Sequence, residues 1–95
     1  MPAYFVAIRN AITNPEQLKL YGDKVRPTLE GHAIKPLAIY GNVRCTDGKP
    51  IDSAVIMEFP TFEEAEAWYD SPAYQAIVEH RFKGGDYQTF IIQGL

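Results

Sequence analysis

Two strand–helix–strand segments follow one another along a chain of 95 residues. The first segment opens with an aromatic and β-branched stretch, Ala3–Arg9, and closes with a second predicted strand, which begins with the apolar residues Leu37–Tyr40 and runs to Arg44. The second segment places strands at Ala54–Phe59 and Tyr87–Ile92. A helical pattern lies between the strands of each segment. This length and order predict one domain, residues 1–95, with no internal linker.

Capping residues mark where the predicted helices begin. Asn14 and Ser71 each precede a proline, which suits the first helical position. Thr61, followed three residues later by a glutamate, forms a capping box. Pro27 lies inside the first helical pattern and predicts a kink or a division of the helix near Arg26, and Gly31 predicts the end of that helix.

The order of elements defines the predicted fold class. A turn at Thr46–Pro50 joins the second and third strands into a hairpin. Four strands and two helical regions then give an α+β protein with a ferredoxin-like βαββαβ order and a four-stranded antiparallel sheet. Both helical regions cover one face of that sheet and leave the other face open.

The predicted strands are apolar on both sides, which is unusual for a sheet with one face in water. We expect the heavier alternating sets to lie under the helices. The lighter set still exposes Phe5, Ile56 and Ile91, and burial against a second copy explains such a patch. A homodimer packed face to face is the expected partner arrangement. The alternative is a monomer with an incompletely polar sheet face.

Composition excludes several classes of partner. The net charge is −3 and the basic residues form no run, so nucleic acid is not expected. No apolar stretch approaches the ~20 residues of a membrane span, and we expect a cytoplasmic protein. The single cysteine, Cys45, rules out an internal disulfide. The two histidines, His32 and His80, lack metal-ligand spacing and no Gly-rich phosphate loop occurs, so we expect no metal and no cofactor.

The second half resembles a known family in two stretches, Glu58–Ala65 and Ala67–Tyr74. They are similar to the signature of the bacterial domain of unknown function 1330 family, whose members have similar lengths. The resemblance implies a dimeric α+β barrel and no established activity. The chain departs from the family at Ala33-Ile34 and Tyr40-Gly41-Asn42, where glycines are usual, and at Asp52-Ser53, where an arginine is common. A ligand site shaped by those residues in relatives would be altered here.

Charged residues suggest one candidate site. Arg9 and Glu58 are the charged ends of otherwise apolar alternations. We expect the first and third strands to be parallel neighbours, which places both side chains at the same sheet edge, with His32 or Tyr40 nearby. Arg9, Glu58 and His32 are therefore the catalytic candidates. A rim salt bridge between Arg9 and Glu58 is the structural alternative.

Aromatic residues suggest a pocket. Trp68, Tyr69 and Tyr74 flank the break between two helical pieces, and with Tyr40 they are the candidates for lining a ligand pocket. The alternative is that these aromatic side chains fill the core. Two functions follow: a cofactor-free binder or enzyme for a small, partly apolar molecule, or a non-catalytic homodimeric interaction module. An enclosed pocket with convergent polar groups favours the first, and a filled interior favours the second.

Overall fold

A computed structural model describes residues 1–95, and it confirms the predicted α+β order. Four strands form one sheet in the order β2-β3-β1-β4, and each neighbouring pair is antiparallel. The strands are β1 Ala3–Ile12, β2 Lys35–Ile39, β3 Ser53–Phe59 and β4 Gly85–Gln93. The helices are α1 Pro15–Thr28, α2 Phe62–Tyr69, α3 Pro72–Gln75 and α4 Val78–Gly84.

The predicted caps begin the helices. Asn14 Oδ1 accepts from two backbone amides of the first turn of α1, and Thr61 Oγ1 accepts from the amide of Glu64 at 3.1 Å. Ser71 Oγ accepts from the amide of Tyr74 at the start of α3. The predicted division of α1 at Pro27 is wrong, because the helix continues to Thr28. Pro27 lies in the last turn, where few further backbone bonds depend on it.

The orientation of β1 and β3 corrects a premise of the sequence-based site. The two strands are antiparallel, with Arg9 opposite Ser53 and Glu58 opposite Tyr4. The physical reason is connectivity. Helix α1 connects β1 to β2, so these two strands run in the same direction, and β3 lies between them and runs against β2 as its hairpin partner. It therefore also runs against β1. Arg9 and Glu58 therefore lie at opposite ends of the sheet, so the predicted pair does not form.

The assignment of the β1 faces is also corrected. Ala3, Phe5 and Ala7 lie under the helices and are buried, whereas Tyr4, Val6 and Ile8 lie on the open face and are half-buried. Phe5 and Ile91 are thus not part of the open face, although Ile56 is, because it pairs with Val6. Side-chain size misleads here, since bulky rings from the helices fill the covered face and leave room for alanines on the strand.

The connection between β2 and β3 is longer than a tight hairpin. The strand β2 ends at Ile39, short of the predicted Arg44, because Tyr40 has a φ of +48° and turns the chain away. Residues 41–50 are exposed along their whole length, Cys45 among them. Gly48 has a φ of +77°, which agrees with the predicted Asp-Gly turn.

The core lies between the sheet and α2, α3 and α4. Its largest fully buried side chains are Trp68, Tyr74 and Phe59. The Trp68 ring lies 4.3 Å from that of Tyr74 and 5.7 Å from that of Phe59, centroid to centroid. No helix is both long enough and apolar enough to cross a membrane.

Helix α1 packs chiefly against α4 rather than against the strands. The two helices meet closely at Gly84, where an added Cβ would lie 2.5 Å from Leu18 Cδ2. The carbonyl of Gly84 also accepts from the backbone amides of Thr13 and Asn14. This seam holds α1 beside α4 and leaves space between α1 and the sheet.

Candidate functional site

A cavity of about 490 Å³ occupies the space between α1 and the covered face of the sheet. Its walls are mainly apolar: Val25 comes from α1 and Leu29 from the C-cap of that helix, Val55 and Met57 from β3, and Ala7 from β1. The volume falls in the range of small-molecule sites, ~300–1,000 Å³. A cavity of this size and lining accommodates a small organic molecule.

The charged residues that line the cavity all carry the same sign. Arg9, Arg26 and Arg81 line it, whereas no aspartate, glutamate or histidine does. The whole chain carries a net charge of −3, so this local excess of positive charge is not a reflection of composition. An anionic group is therefore favoured in the cavity over a cationic one. No lining residue other than tyrosine and arginine can exchange a proton, so the cavity contains no ordinary general base.

One polar cluster joins Arg9 of β1, Tyr40 directly after β2 and Tyr87 of β4. Arg9 Nε donates to Asp52 Oδ2 at 2.7 Å, and the Arg9 guanidinium lies 3.9 Å from the centre of the Tyr40 ring. The Tyr40 and Tyr87 hydroxyls are 2.6 Å apart. Because Asp52 neutralises Arg9, this cluster offers oriented hydroxyls more than free charge.

The backbone of Tyr40 is strained. It is the one residue other than glycine with a positive φ. A left-handed conformation costs a tyrosine on the order of 1 kcal/mol or more, and such strain persists where surrounding contacts enforce it. Here the Arg9 guanidinium stacks on the Tyr40 ring and the Tyr87 hydroxyl bonds the Tyr40 hydroxyl. These contacts hold Tyr40 at the cavity wall despite the backbone strain.

Arg81 forms the second polar feature, and it is almost completely buried. Its exposure is 3%, and its Nε has no hydrogen-bond partner. Its Nη2 donates to the Tyr69 hydroxyl over a long 3.5 Å, and the rings of Phe82 and Tyr87 lie 5.1 and 5.2 Å from Cζ. No carboxylate pairs with it, since the chain's two ion pairs are Arg9–Asp52 and Lys83–Glu79.

The tyrosines around Arg81 stay neutral at neutral pH. Burial raises the pKa of Tyr21 and of Tyr74, whose hydroxyls lie 2.8 Å apart, and it raises the pKa of Tyr40 as well. Burial alone would lower the pKa of Arg81, but the neighbouring Tyr74, Tyr21 and Tyr69 hydroxyls outweigh it and leave that pKa above its usual value. Arg81 is thus a cation among neutral dipoles.

The sequence-predicted residues divide among four places. Arg9 and Tyr40 line the cavity together. Tyr69 and Tyr74 lie behind it, around Arg81 and Tyr21, and Trp68 belongs to the core, where its Nε1 donates to Thr28 Oγ1. His32 and Glu58 meet in a separate, shallow groove beside Lys35, at the other end of β3. The structure thus brings Arg9 to neither of the other two catalytic candidates.

Sequence reasoning missed Arg81, Tyr21 and Tyr87 as cavity residues. Arg81 carried a readable signal, because it falls on the apolar face of its helix, seven residues after Tyr74. A charged side chain at that position must either be buried with the apolar side chains or keep this face of the helix from packing. Tyr21 and Tyr87 gave no such signal, since an aromatic residue on an apolar stripe is ordinary core.

Comparison with known proteins assigns the family. The sequence profile of a domain of unknown function, DUF1330, matches residues 2–95, so the chain belongs to the DUF1330 family, and the predicted resemblance is confirmed. No curated protein matches the chain.

Solved structures share the fold. A protein of unknown function from Rhodopseudomonas palustris superposes with a TM-score of 0.74 at 18% identity, covering 99% of this chain and 82% of that one. A dabb family protein with a ferredoxin-like fold from Mesorhizobium loti gives 0.62 at 12% identity, covering 99% and 97%. An uncharacterized NIPSNAP domain protein from Burkholderia xenovorans gives 0.57 at 15% identity, covering 100% and 95%. At these identities the likeness concerns the fold alone.

Proposed function

We propose that this member of the DUF1330 family binds a small, partly apolar molecule in the cavity between α1 and the sheet, without a cofactor. The observation that carries the proposal is the cavity itself. It joins an apolar lining to a few convergent polar groups, namely the Arg9–Tyr40–Tyr87 cluster on one wall and Arg81. Pockets that orient small molecules have this composition.

Binding is favoured over proton-transfer chemistry by the choice of polar residues. The lining contains arginine and tyrosine but no carboxylate or imidazole to accept a proton at neutral pH. Arginine and tyrosine orient a ligand and stabilise negative charge. The second candidate, a purely structural interaction module, would be favoured by a filled interior, which the space beneath α1 does not have.

The open face of the sheet supports the proposed homodimer. Val6 pairs with Ile56 on one side and with Phe90 on the other, which makes an apolar centre. Phe90 and Ile92 are 42% and 52% exposed. A contiguous patch of such residues across three strands is typical of a surface that packs against another protein, and a second copy presents the same patch to it.

The proposed homodimer can be tested by its mass in solution. Sedimentation equilibrium tests this: we expect a species near twice the 10.7 kDa chain mass, and a Val6→Glu variant that sediments as a monomer. A wild-type monomer at micromolar concentration would refute the dimer.

The binding proposal is tested by filling the cavity. Gly22 lies on α1 at the cavity mouth, and an added Cβ there meets nothing within 4 Å. We expect 2-naphthoate or neutral 2-naphthylmethanol to shift the amide resonances of cavity residues in the wild type, and Gly22→Leu to abolish the shifts. Asp23→Leu, at the next, exposed position, is the control. The proposal would be contradicted if neither probe bound the wild type, or if binding to Gly22→Leu were unchanged.

A further inference from the structure

The charge of Arg81 has no counterion in the chain. The side chain is 3% exposed, lines the cavity and has no carboxylate within salt-bridge distance. A guanidinium has five N–H donors. Here one donates over 3.5 Å to Tyr69, and the Nε–H is buried with no partner. Natural proteins seldom leave a buried cation in this condition, because desolvating it is costly without compensation.

The groups that surround Arg81 compensate it only in part. Phenol hydroxyls and the faces of Phe82 and Tyr87 supply dipoles and quadrupoles, which attract a cation but carry no net charge. Asp52 pairs with Arg9 and does not line the cavity, so it does not neutralise Arg81. Among the buried residues of the cavity wall, the remaining unpaired charge is therefore the single positive charge of Arg81.

We infer that the ligand of the proposed site is an organic monoanion, a carboxylate on a flat apolar body, whose carboxylate pairs with Arg81. This inference rests on the proposed binding function and specifies its ligand class. A carboxylate accepts charge-assisted hydrogen bonds from a guanidinium and supplies the negative charge that no residue of the chain supplies to Arg81. The apolar body then contacts the aliphatic wall formed by Val25, Val55 and Met57.

The charge balance selects a monoanion over a dianion. One carboxylate neutralises Arg81, whereas a phosphate monoester would bring close to two charges and leave one unmatched in an apolar cavity. Arg26 does not change this balance, because it is exposed and solvated at the end of α1. Its charge attracts anions to the cavity mouth and is screened by salt.

Three probes with the same ring system test the ligand class on the wild-type protein. They are 2-naphthoate, neutral 2-naphthylmethanol and 2-naphthyl phosphate, each titrated by calorimetry at pH 7.4. We expect 2-naphthoate to bind at least about tenfold more tightly than either of the others. In a parallel NMR titration of the wild type, the Arg81 Nε–H resonance should shift with 2-naphthoate and stay in place with the alcohol. This readout requires no variant to fold.

Two variants then assign the preference to a residue. Arg81→Met keeps the length of the side chain and removes its charge, and we expect it to bind naphthoate and the alcohol with nearly equal affinity. Arg26→Met is the matched control, and we expect it to keep most of the preference, with a smaller dependence on salt. If Arg26→Met loses the preference for 2-naphthoate and Arg81→Met keeps it, the preference arises at the cavity mouth, and the inference is overturned.

The outcomes separate this inference from the binding proposal. Equal affinity of the wild type for 2-naphthoate and the alcohol overturns the inference and leaves the binding function standing. Tighter binding of the phosphate overturns the monoanion class. Binding of no probe contradicts both. Preference for 2-naphthoate together with the Arg81 Nε–H shift supports both.

Discussion

The covered face of the sheet has two halves that are built differently. Beneath α2 and α3 the interior is filled by aromatic rings, and Trp68, Phe59 and Tyr74 are fully buried. Beneath α1 the same face borders a cavity of about 490 Å³. Both halves lie on one sheet and derive from successive strand–helix–strand segments. The difference between them is therefore local packing and not fold.

The cause lies in what each helix packs against. Trp68 extends from α2 to the sheet and contacts the rings of Phe5 and Phe59. Helix α1 presents Gly22 and Val25 toward the sheet and rests on α4 instead, at the Gly84–Leu18 seam. We therefore expect the half beneath α2 and α3 to contribute most of the stability, whereas the half beneath α1 leaves space for a ligand.

The largest expected effect is in the filled half. Trp68→Ala removes a fully buried ring and its hydrogen bond to Thr28, and we expect it to lower the free energy of unfolding by about 3–5 kcal/mol. Val25→Ala, which enlarges a space that already exists, should cost under about 1.5 kcal/mol. Urea denaturation measures both. Equal costs would mean that the two halves are packed alike.

Alanine substitution at two glycines should change the free energy of unfolding in opposite directions. At Gly84 a Cβ would lie 2.5 Å from Leu18 Cδ2 and 3.0 Å from its backbone nitrogen, so Gly84→Ala should destabilise by about 1–3 kcal/mol. At Gly22 a Cβ meets open space, so Gly22→Ala should stabilise by about 0.5–1 kcal/mol through helix propensity. Thermal unfolding compares them. A stabilising Gly84→Ala would show that α1 and α4 are not in close contact.

The smallest effect at neutral pH concerns the buried phenols. Tyr21, Tyr40 and Tyr74 have pKa values raised above the usual value, mainly by burial. Their neutral forms are favoured by folding, so the stability they provide is fully present below about pH 10 and is lost as the pH rises toward the raised values. In an absorbance titration at 295 nm we expect these three to ionise only as the protein unfolds. Ionisation of all six tyrosines in the folded protein near pH 10 would contradict their burial.

Much of the fold could be read from the sequence because its signals are local. The caps at Asn14, Thr61 and Ser71 each depend on a side chain and an amide two or three residues away. The faces of β1 could not be read, because both alternating sets are apolar. The covered set is chosen by the shape of the helices above it, and Ala3 and Ala7 are buried while Ile8 is not.

The site was less predictable because it depends on distances between elements. Arg9 was identified as the charged end of a strand and Tyr40 as a pocket candidate from the second predicted strand, and they do meet. The partner chosen for Arg9 was wrong, since Asp52 from the adjacent loop binds it and Glu58 is far along β3. The cavity itself reflects how far α4 holds α1 from the sheet, which no periodicity in the sequence records.

The central claim is that the hollow half of the covered face is the binding site. Intermolecular NOEs between the ring protons of 2-naphthoate and protein methyl groups test it most directly. We expect contacts to Val25, Val55 and Met57, which line the cavity from α1 and β3. NOEs to Val6 and Ile56 instead would place the probe on the open face of the sheet and contradict the account.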